Sequence, residues 1–474
     1  MNRCRASAWS GCLASAVLLT GCLGERPAAP QLASVTPPVG WRAPIGPSSE
    51  AEAGWWQGFG DPTLDSLVER ALARNADIGV AVARVDEARA LARLSRAQQL
   101  PLLTGGIVAA DARTVVLGRG VDAFAATPQV AISYDLDVFG RLSAATASAR
   151  ATLLAASYTR DSVELAVAST TASSYVSLLA LDARLATTKA TLAARADALR
   201  LAKRRAEAGY TSRLELAQAQ SEYDATAQLV PIAELAMARQ ENALSVLVGD
   251  PPGSIARGAG LRSLTAPAIP AGLPADILRR RPDIAAAEAG LVATDRSLDS
   301  ARDAMLPNVS LTGGAGLALS TALANPITLF SAGGSVLAPL FDGGRLRSQA
   351  GAAAARRDQA AFAYRRSVLT AFREVEDALA AVDRLEAQRR FVDEQIAALD
   401  EAVRIATNRY REGYAPYLDQ IDAQRNLLAA QLVSIQLDAD RLTALVTLYQ
   451  AMGGGWRPRA VSVSSSPPTP WEKS

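Results

Sequence analysis

The sequence predicts a chain that is mainly α-helical with a small β part and is built twice on the same plan. Three observations predict this fold class. Two stretches of 68 and 61 residues contain neither proline nor glycine. Short segments in which apolar and polar residues alternate precede these stretches. A residue pattern around one glycine also recurs 204 positions later, which is typical of a duplicated architecture.

The recurring pattern lies where each long helical stretch meets a glycine. Four residues of the first copy return in the second at a spacing of 204: Arg205, Gly209, Tyr210 and Leu214 correspond to Arg409, Gly413, Tyr414 and Leu418. Glycine readily adopts the left-handed conformation that ends a helix. We therefore expect tip turns at 209–212 and 413–416, each followed by a return helix, with Ser212 as a candidate N-cap.

The composition argues against several functional classes. The chain has 474 residues, a formal net charge of +2 and no histidine. A nearly neutral chain has no basic footprint for nucleic acid. Without histidine a Ser-His-Asp triad cannot form, and the commonest metal ligand is missing. Gly453-Gly454-Gly455 lacks the Lys-Ser/Thr of a phosphate-binding loop. We expect no catalytic residues, no metal, no cofactor and no enzymatic activity.

The amino terminus has the pattern of a signal peptide over residues 1–21. Arg3 and Arg5 precede a mostly apolar segment that is too short to cross a membrane. The segment ends in Leu19-Thr20-Gly21-Cys22, which resembles the bacterial lipobox and predicts lipidation of Cys22. An ordinary signal peptide with an incidental cysteine is the alternative. Residues 22–54 are then a lipidated linker, extended because it is rich in proline.

Repeat 1 is expected to span residues 55–250. Its predicted elements are a helix from about Pro62 to Gln99, strands at about 101–110 and 128–138, a long helix at about 141–208, the tip turn and a return helix to about Val248. Pro231 must kink or interrupt the return helix, because it lacks an amide hydrogen.

Repeat 2 follows a connector at 251–274 that contains proline and glycine, and it spans residues 275–456. Its predicted elements are a helix, strands at about 307–316 and 335–341, a long helix at about 345–412, the second tip turn and a return helix. Leu178, Leu185, Leu192 and Leu199 recur every seven residues, which indicates a coiled-coil seam. Residues 457–474 are rich in serine and proline and predict a disordered tail.

The predicted strands have one apolar and one polar face. A soluble sheet explains this alternation equally well. The strands also have about the 9–11 residues that a tilted membrane strand needs. If they span a membrane, their apolar faces meet lipid and their polar residues face a water-filled lumen: Asp135, Asp137, Asn308, Ser310 and Thr312.

Four strands per chain cannot close a membrane barrel, because the smallest such barrels have eight strands. An open edge in lipid would leave backbone groups unpaired. Chains must therefore associate: two would supply eight strands and three would supply twelve. The helices are too polar to span lipid, and at ~1.5 Å per residue each long one would extend roughly 100 Å. A lipid anchor, a barrel and such helices together indicate a tunnel across the periplasm.

Five blocks of residues are spread along the chain in order: Trp55-Trp56 with Asp61-Pro62, residues 134–141, residues 280–284, residues 374–379 and residues 448–456. Together they resemble the outer-membrane factor (TolC-like) family, in particular its lipid-anchored OprM- or NodT-like branch. The resemblance implies a homotrimer with a twelve-stranded barrel in the bacterial outer membrane and a helical tunnel in the periplasm. It implies passive conduction of drugs and toxic small molecules. The expected partners are a periplasmic adaptor protein, an inner-membrane pump of the resistance-nodulation-division type and outer-membrane lipid.

The resemblance also assigns roles to the two turns, which in this family form the periplasmic tip. Leu418 and Asp422 match the inner constriction, and Leu214 and Gln218 are their counterparts in repeat 1. Three copies of Asp422 would make an acidic ring that binds cations. On spacing alone, Leu418 is a seam residue and Asp422 a solvated charge.

Docking of the adaptor is expected at the turn residues Gly209, Tyr210, Gly413 and Tyr414. Arg205 and Arg409 would pair with tip carboxylates and hold a closed state.

Two other functions remain open on the sequence. A channel of the same fold could export metal cations or serve type I protein secretion. A protein of another class, a periplasmic lipoprotein with a coiled-coil scaffold, would contain no pore.

Overall fold

In this computed structural model the described residues are 25–42, 54–116, 119–269, 274–321 and 324–458. The predicted signal peptide, Cys22 and the tail beyond Pro458 lie outside them. The described chain is mostly helix, with one antiparallel sheet of four strands. The helices are α1 (Pro62–Arg74), α2 (Ala76–Ala97), α3 (Arg141–Glu207), α4 (Arg213–Ala227), α5 (Leu229–Leu247), α6 (Pro274–Arg280), α7 (Pro282–Asp303), α8 (Arg345–Arg411) and α9 (Tyr417–Ala451). The strands are β1 (Leu102–Val116), β2 (Arg119–Leu136), β3 (Asn308–Ser320) and β4 (Ile327–Leu337).

The long helices α3 and α8 carry the repeated plan. Each has 67 residues and ends within one residue of the expected position. Neither contains proline, and each buries apolar side chains fully, such as Leu178 of the heptad repeat in α3 and Val375 in α8. One stretch of α3 is apolar enough by composition to cross a membrane, with a mean hydropathy of 1.2, but 56% of it is buried within the chain. That degree of burial is typical of a core helix.

The first helical segment is two helices rather than the single one expected. The break is at Asn75, whose side-chain oxygen accepts the amide hydrogen of Asp77 at 2.8 Å. Its side-chain amide donates to the carbonyl of Leu247 at 2.9 Å. An asparagine oxygen that caps a helix start competes with continuation of the preceding helix. This local capping explains the break.

The return helix of repeat 1 is interrupted, as Pro231 predicts. Helix α4 ends at Ala227 and α5 begins at Leu229, so Pro231 lies in the first turn of α5. There its missing amide hydrogen leaves no helical bond unmade. In a continuous helix the proline ring would instead clash with the carbonyl of Ala227.

The first hairpin is longer than expected. Strand β1 continues to Val116 instead of ending near residue 110, and β2 begins at Arg119 instead of near 128. The added residues lack apolar alternation, but their backbone ladder is continuous. Arg113 and Asp122 lie directly opposite each other, with 3.6 Å between Nε and Oδ1. Backbone pairing and a cross-strand charge pair therefore extend the hairpin where the apolar pattern fails.

The second hairpin differs from the expectation in both strands. Strand β3 continues to Ser320, past the expected end near 316, and β4 spans Ile327–Leu337 instead of 335–341. Pro339 explains why β4 ends where it does, because proline cannot donate to a ladder. A Cβ atom at Gly316 would lie 2.5 Å from the carbonyl oxygen of Pro128. Close approach of β2 and β3 thus requires glycine there. Because glycine has no side chain, it interrupts the alternation of apolar and polar residues by which the strand was predicted.

The strand register brings the predicted polar residues onto one face of the sheet. Asp135 lies opposite Ser310, which lies opposite Ser335, and Thr312 belongs to the same face. The hydroxyls of Ser310 and Ser335 are 2.8 Å apart. Asn308 donates to the carboxylate of Asp135 at 3.5 Å. The opposite face carries exposed apolar side chains, among them Leu103, Ile132, Leu311 and Val336.

Asp137 does not belong to that face, and the expectation that it lies in the strand was wrong. Strand β2 ends at Leu136. The Asp137 carboxylate accepts the amide hydrogens of Leu142 at 2.9 Å and Ser143 at 2.7 Å, so it caps the start of α3. Its counterpart Asp342 accepts from Leu346 at 2.8 Å at the start of α8. The bond from Leu346 is the main cause that lowers the pKa of Asp342 below its ordinary value.

The chain divides into two compact units. The first contains the four strands, with segments Ala83–Ser157 and Ala286–Arg366 and the described residues 25–35. Its helical part packs around Leu298 of α7 and Ala353 of α8.

The second unit contains the described residues of the segments 36–82, 158–285 and 367–458. In its core Trp55 stacks on Tyr449, with ring centroids 5.3 Å apart. This unit contains both helix turns.

Three of the five sequence blocks meet at Arg281, a buried residue of the second unit. Its guanidinium donates to the carbonyl of Ala451 at 3.1 Å. It also pairs with Asp283 at 2.7 Å and Glu374 at 2.8 Å. Because buried cations are stable only when they are paired, these block residues hold α7, α8 and α9 together.

Candidate functional site: the paired helix turns

The first turn ends α3 with a glycine-dependent cap. Gly209 has a φ of +77°, in the left-handed region that favours glycine. Its amide donates to the carbonyl of Ala206 at 3.1 Å, and the amide of Tyr210 donates to that of Arg205 at 2.8 Å. These two backbone bonds form the Schellman motif, which ends the helix and reverses the chain tightly. Ser212 then caps α4 by accepting the amide hydrogen of Glu215 at 3.2 Å.

The second turn repeats this geometry at the end of α8. Gly413 has a φ of +81°. Its amide donates to the backbone carbonyl of Tyr410 at 3.1 Å, and the amide of Tyr414 donates to the backbone carbonyl of Arg409 at 2.8 Å. Helix α9 begins after Pro416, with no side-chain cap. The recurring glycine and tyrosine therefore reflect one backbone motif used twice.

Four side chains join the two turns, and we name them the tip cluster: Arg205, Glu215, Tyr410 and Tyr417. The Tyr410 hydroxyl donates to the carboxylate of Glu215. The Arg205 guanidinium carbon lies 5.2 Å from the centre of the Tyr410 ring, within the range of a cation–π contact. The Tyr410 and Tyr417 rings are 5.1 Å apart. Burial, followed by the bond to Glu215, raises the pKa of Tyr410 to about 12.

An apolar core supports the tip cluster. Tyr417 and Ile421 of α9 pack with Leu199 and Ala202 of α3 and with Ala219 of α4. Helices from both repeats contribute, so the two turns are packed as one body within this unit.

A buried carboxylate lies further from the turns, and we name its surroundings the Glu222 network. The side chains of Glu222 and Arg195 are each only 7% exposed, and 2.8 Å separates Oε2 from Nη1. Arg425 of α9 donates from Nε to the other oxygen of Glu222 at 2.9 Å. Thr226 accepts from Arg195 at 2.5 Å. The carboxylate thus ties α3, α4 and α9 together.

The two arginines of the Glu222 network have pKa values that are shifted in opposite directions. Burial is the main influence on Arg195 and lowers its pKa. The hydrogen bond to Glu222 is the main influence on Arg425 and raises its pKa. Both guanidiniums remain charged at neutral pH. The network therefore holds two cations around one anion, and the Glu222 carboxylate is the group that compensates the charge of the buried Arg195.

The predicted constriction residues lie in the first two turns of the return helices. Leu418 is 47% exposed and Leu214 is 67% exposed. The Asp422 side chain is 59% exposed and lies 3.7 Å from Arg425. Gln218 is half-buried on α4. Exposed apolar groups next to a carboxylate are available for contacts beyond this chain, and their gating role stays a prediction.

The tip residues predicted for docking are also accessible. Tyr210 is 85% exposed and Tyr414 is 74% exposed. Arg205 contacts the Tyr410 ring rather than a carboxylate, and Arg409 is exposed. Within the described part of the tip neither arginine forms an ion pair, so the structure does not show the expected pairing.

The sequence did not identify Glu222, Arg195, Arg425, Tyr410 or Glu215 as site residues. One signal was present for Glu222: it shares the buried face of α4 with Ala219 and Thr226, and a lone acid on such a face needs a partner. Its partners are distant in sequence, so no local pattern could identify them. In the residues that the structure describes, no group of three His, Cys, Asp or Glu could hold a metal ion.

Comparison with known proteins agrees with this architecture. The family model described as outer membrane efflux protein matches residues 67–250 and 273–454. The two matched segments correspond to the two repeats, which confirms the duplication.

Related proteins match nearly the whole chain. The pyoverdine export outer membrane protein OpmQ of Pseudomonas aeruginosa is 35% identical over 464 residues, covering 94% of this chain and 96% of that protein. The probable efflux pump outer membrane protein TtgC of Pseudomonas putida is 33% identical over 442 residues, covering 88% and 90%.

Solved structures share the fold. The outer-membrane channel OprN superposes with a TM-score of 0.82 at 28% identity, covering 91% of this chain and 100% of that one. The open state of the Neisseria gonorrhoeae MtrE outer membrane channel gives 0.79 at 26% identity, covering 91% and 98%. With two matched repeats, close relatives along its length and a shared fold, the chain belongs to the outer membrane efflux protein family, a family of outer-membrane channels rather than of enzymes.

Proposed function

We propose that this protein is the outer-membrane channel of a tripartite efflux system, through which small organic molecules leave the periplasm passively. The observation that carries the proposal is the tip cluster, where the turns of both repeats meet and Tyr410 bonds Glu215. A joined tip can serve as a closable entrance to a channel. Family membership supports the transport role.

Three copies of the chain form the channel in this proposal. The described sheet has the order β1-β2-β3-β4, so β1 and β4 are its outer strands. Unpaired edges are costly in lipid, and four strands are too few to close a barrel. Pairing of β1 with β4 of the next copy gives a closed barrel of twelve strands. Its apolar face then meets lipid, and Asp135, Asn308, Ser310 and Thr312 line the lumen.

The entrance narrows at the return helices. Three copies of Leu418 form an apolar ring, and three of Asp422 form an acidic ring that attracts cations and repels anions. Leu214 and Gln218 occupy the corresponding positions of repeat 1. Because Arg425 lies 3.7 Å from Asp422, part of that negative charge is offset while the tip holds this conformation.

A periplasmic adaptor protein opens the entrance in this proposal. It contacts the exposed Tyr210 and Tyr414 beside Gly209 and Gly413. An inner-membrane pump of the resistance-nodulation-division type supplies the energy. Opening requires that the tip cluster separates, because it binds the two turns to each other.

Lipidation of Cys22 anchors the amino terminus in the outer membrane. This part of the proposal rests on the lipobox-like residues Leu19-Thr20-Gly21-Cys22.

The names of the relatives support small organic substrates, since they describe export of pyoverdine and efflux of antibiotics and toluene.

Planar bilayer recording tests the channel. Purified protein is expected to form heat-dissociable trimers on gels and to conduct ions as discrete steps. A scaffold without a pore would give neither result. In cells, deletion of the gene is expected to raise intracellular accumulation of a fluorescent efflux substrate, and a copy with Cys22→Ser tests the need for the anchor.

A further inference from the structure

The described amino-terminal residues 25–42 lie along α7 and α8, although the sequence predicts only a spacer. Arg26 pairs with Asp295 at 2.8 Å and with Asp299 at 2.9 Å, both on α7. Arg302, near the end of α7, donates to the carbonyl of Glu25 at 3.1 Å. The segment contains one turn of 3-10 helix at Gln31–Ala33, a departure from the extended linker that its prolines predict, and it is bound to the body of the chain. We name residues 25–42 the strap.

Arg357 of α8 holds the next part of the strap. Its side chain is only 2% exposed. It donates to the carbonyls of Pro27 at 2.6 Å and Ala28 at 2.8 Å. Asp358 accepts from the same guanidinium at 2.7 Å. The described hydrogen-bond partners of Arg357 are the strap carbonyls and Asp358. Because a buried guanidinium needs such partners, Arg357 depends on the strap.

Arg365 repeats this contact eight residues later on α8, about two helical turns away. It donates to the carbonyls of Leu32 and Ser34, the latter at 3.0 Å. Further along, the strap amide of Arg42 donates to Glu376 at 3.1 Å. Later strap residues thus meet later residues of α8, so the two segments run in the same direction.

The composition of the strap explains why arginines bind its backbone. A proline-rich extended chain makes few internal hydrogen bonds, so its carbonyls remain available. Proline also provides no amide hydrogen. An arginine guanidinium offers five N–H groups in a fixed fork and can bridge two adjacent carbonyls. Between Pro27 and Ser34 the strap is therefore recognised through its backbone carbonyls, and Arg357 and Arg365 of α8 supply the donors.

We propose that α7 and α8 form a binding surface for the strap and that this surface fixes where the amino-terminal anchor attaches to the body. The anchoring role rests on the proposed lipidation of Cys22. Glu25 lies three positions after Cys22, a reach of at most about 11 Å. Since Arg302 holds Glu25 near the end of α7, the lipid is attached beside the junction between α7 and β3. Any pull on the anchor passes into α7 and α8.

Limited digestion with thermolysin tests the binding surface in the full-length protein. Leu32 is already 76% exposed. The rate at which the bond before Leu32 is cut therefore depends on how often the strap backbone detaches from α8. Arg365→Lys keeps the charge but loses the fork that bridges two carbonyls. We expect this variant, and Arg357→Lys, to be cut between Gln31 and Leu32 about tenfold faster than the unchanged protein.

Arg356→Lys is the matched control, because Arg356 is exposed on α8 beside Arg357. It is expected to be cut at the unchanged rate. Equal rates for Arg365→Lys, Arg357→Lys and Arg356→Lys would overturn the assignment of the arginines.

Cys22→Ser separates this inference from the proposed anchor. If the arginines hold the strap, this variant is cut at the unchanged rate. Acceleration equal to that of Arg365→Lys would mean that the lipid holds the strap, and would overturn the role of α8. Mass spectrometry that finds Cys22 unmodified in the mature protein would overturn the anchor while leaving the digestion result intact.

Discussion

The hydroxyl of Tyr410 donates a hydrogen bond to the carboxylate of Glu215. Tyr410 lies in the last turn of α8, and Glu215 lies in the first turn of α4. The bond therefore joins the long helix of one repeat to the return helix of the other. Because both groups are partly buried, loss of the donor leaves an acceptor poorly satisfied. The pair directly links the two helix ends that flank the turns.

Tyr410→Phe is expected to favour the open entrance. The variant keeps the ring beneath Arg205 and removes only the hydroxyl. We expect a larger mean single-channel conductance in planar bilayers, because one bond that resists separation is gone. Tyr414→Phe is the control, since Tyr414 is 74% exposed. Identical conductance in Tyr410→Phe and the unchanged channel would contradict the role given to this bond.

Glu222→Gln is expected to loosen the helices around the tip. Removal of this charge leaves Arg195 buried without a counter-ion, which typically costs about 3–5 kcal/mol. Asp422→Asn is the matched control, because it removes the exposed partner of Arg425 and should cost less than about 1 kcal/mol. Hydrogen exchange of the α4 amides measures both effects. Equal protection in the two variants would show that burial of Glu222 is unimportant.

Leu418→Ala and Asp422→Ala are expected to raise conductance if these residues line the constriction. The first widens the apolar ring, and the second removes the acidic ring and lowers cation selectivity. Val433→Ala on the same helix is the control, since it removes a similar apolar group 15 positions further along. Unchanged conductance and selectivity would indicate that Leu418 is a seam residue and Asp422 a solvated charge.

Local features of this fold could be predicted from the sequence. The turns at Gly209 and Gly413 depend on one residue type in one conformation, and the long helices depend on the absence of proline. The full strands could not be predicted, because residues such as Arg113 and Asp122 are held by pairing with each other and show no apolar alternation.

The candidate site could be predicted only in part, for a related reason. The sequence located both turns but not the side chains that join them. Arg425 and Glu222 are 203 positions apart, and their pairing depends on how helices from two repeats pack. Residues that carried the family resemblance, such as Arg281, instead have structural roles in the core. The blocks that carry the family resemblance and the residues of the candidate site are therefore different sets in this chain.

Gly413→Ala is expected to weaken the second turn through its backbone conformation alone. Gly413 has a φ of +81°, and a side chain there costs about 1–2 kcal/mol. A Cβ atom at this position would meet nothing within 4 Å, and the same holds at Gly351 inside α8. Gly351→Ala should therefore stabilise α8 by about 0.5–1 kcal/mol, because alanine favours helix. Thermal unfolding is expected to shift in opposite directions for the two variants. A shift of the same sign in both would contradict the backbone argument.

The contribution of Tyr410 is expected to disappear at high pH. Burial and the bond to Glu215 raise the pKa of Tyr410 to about 12, above the ordinary value of about 10. A raised pKa means that the fold favours the protonated hydroxyl, so its stabilisation is complete below about pH 10. That stabilisation is lost as the pH rises through the folded-state value. The pKa of Tyr175 is also raised to about 12 by burial, so the unchanged protein alone cannot identify the group. The difference in unfolding free energy between it and Tyr410→Phe should be constant below pH 10 and shrink towards pH 12. A difference that stays constant across this range would exclude Tyr410 as the titrating group.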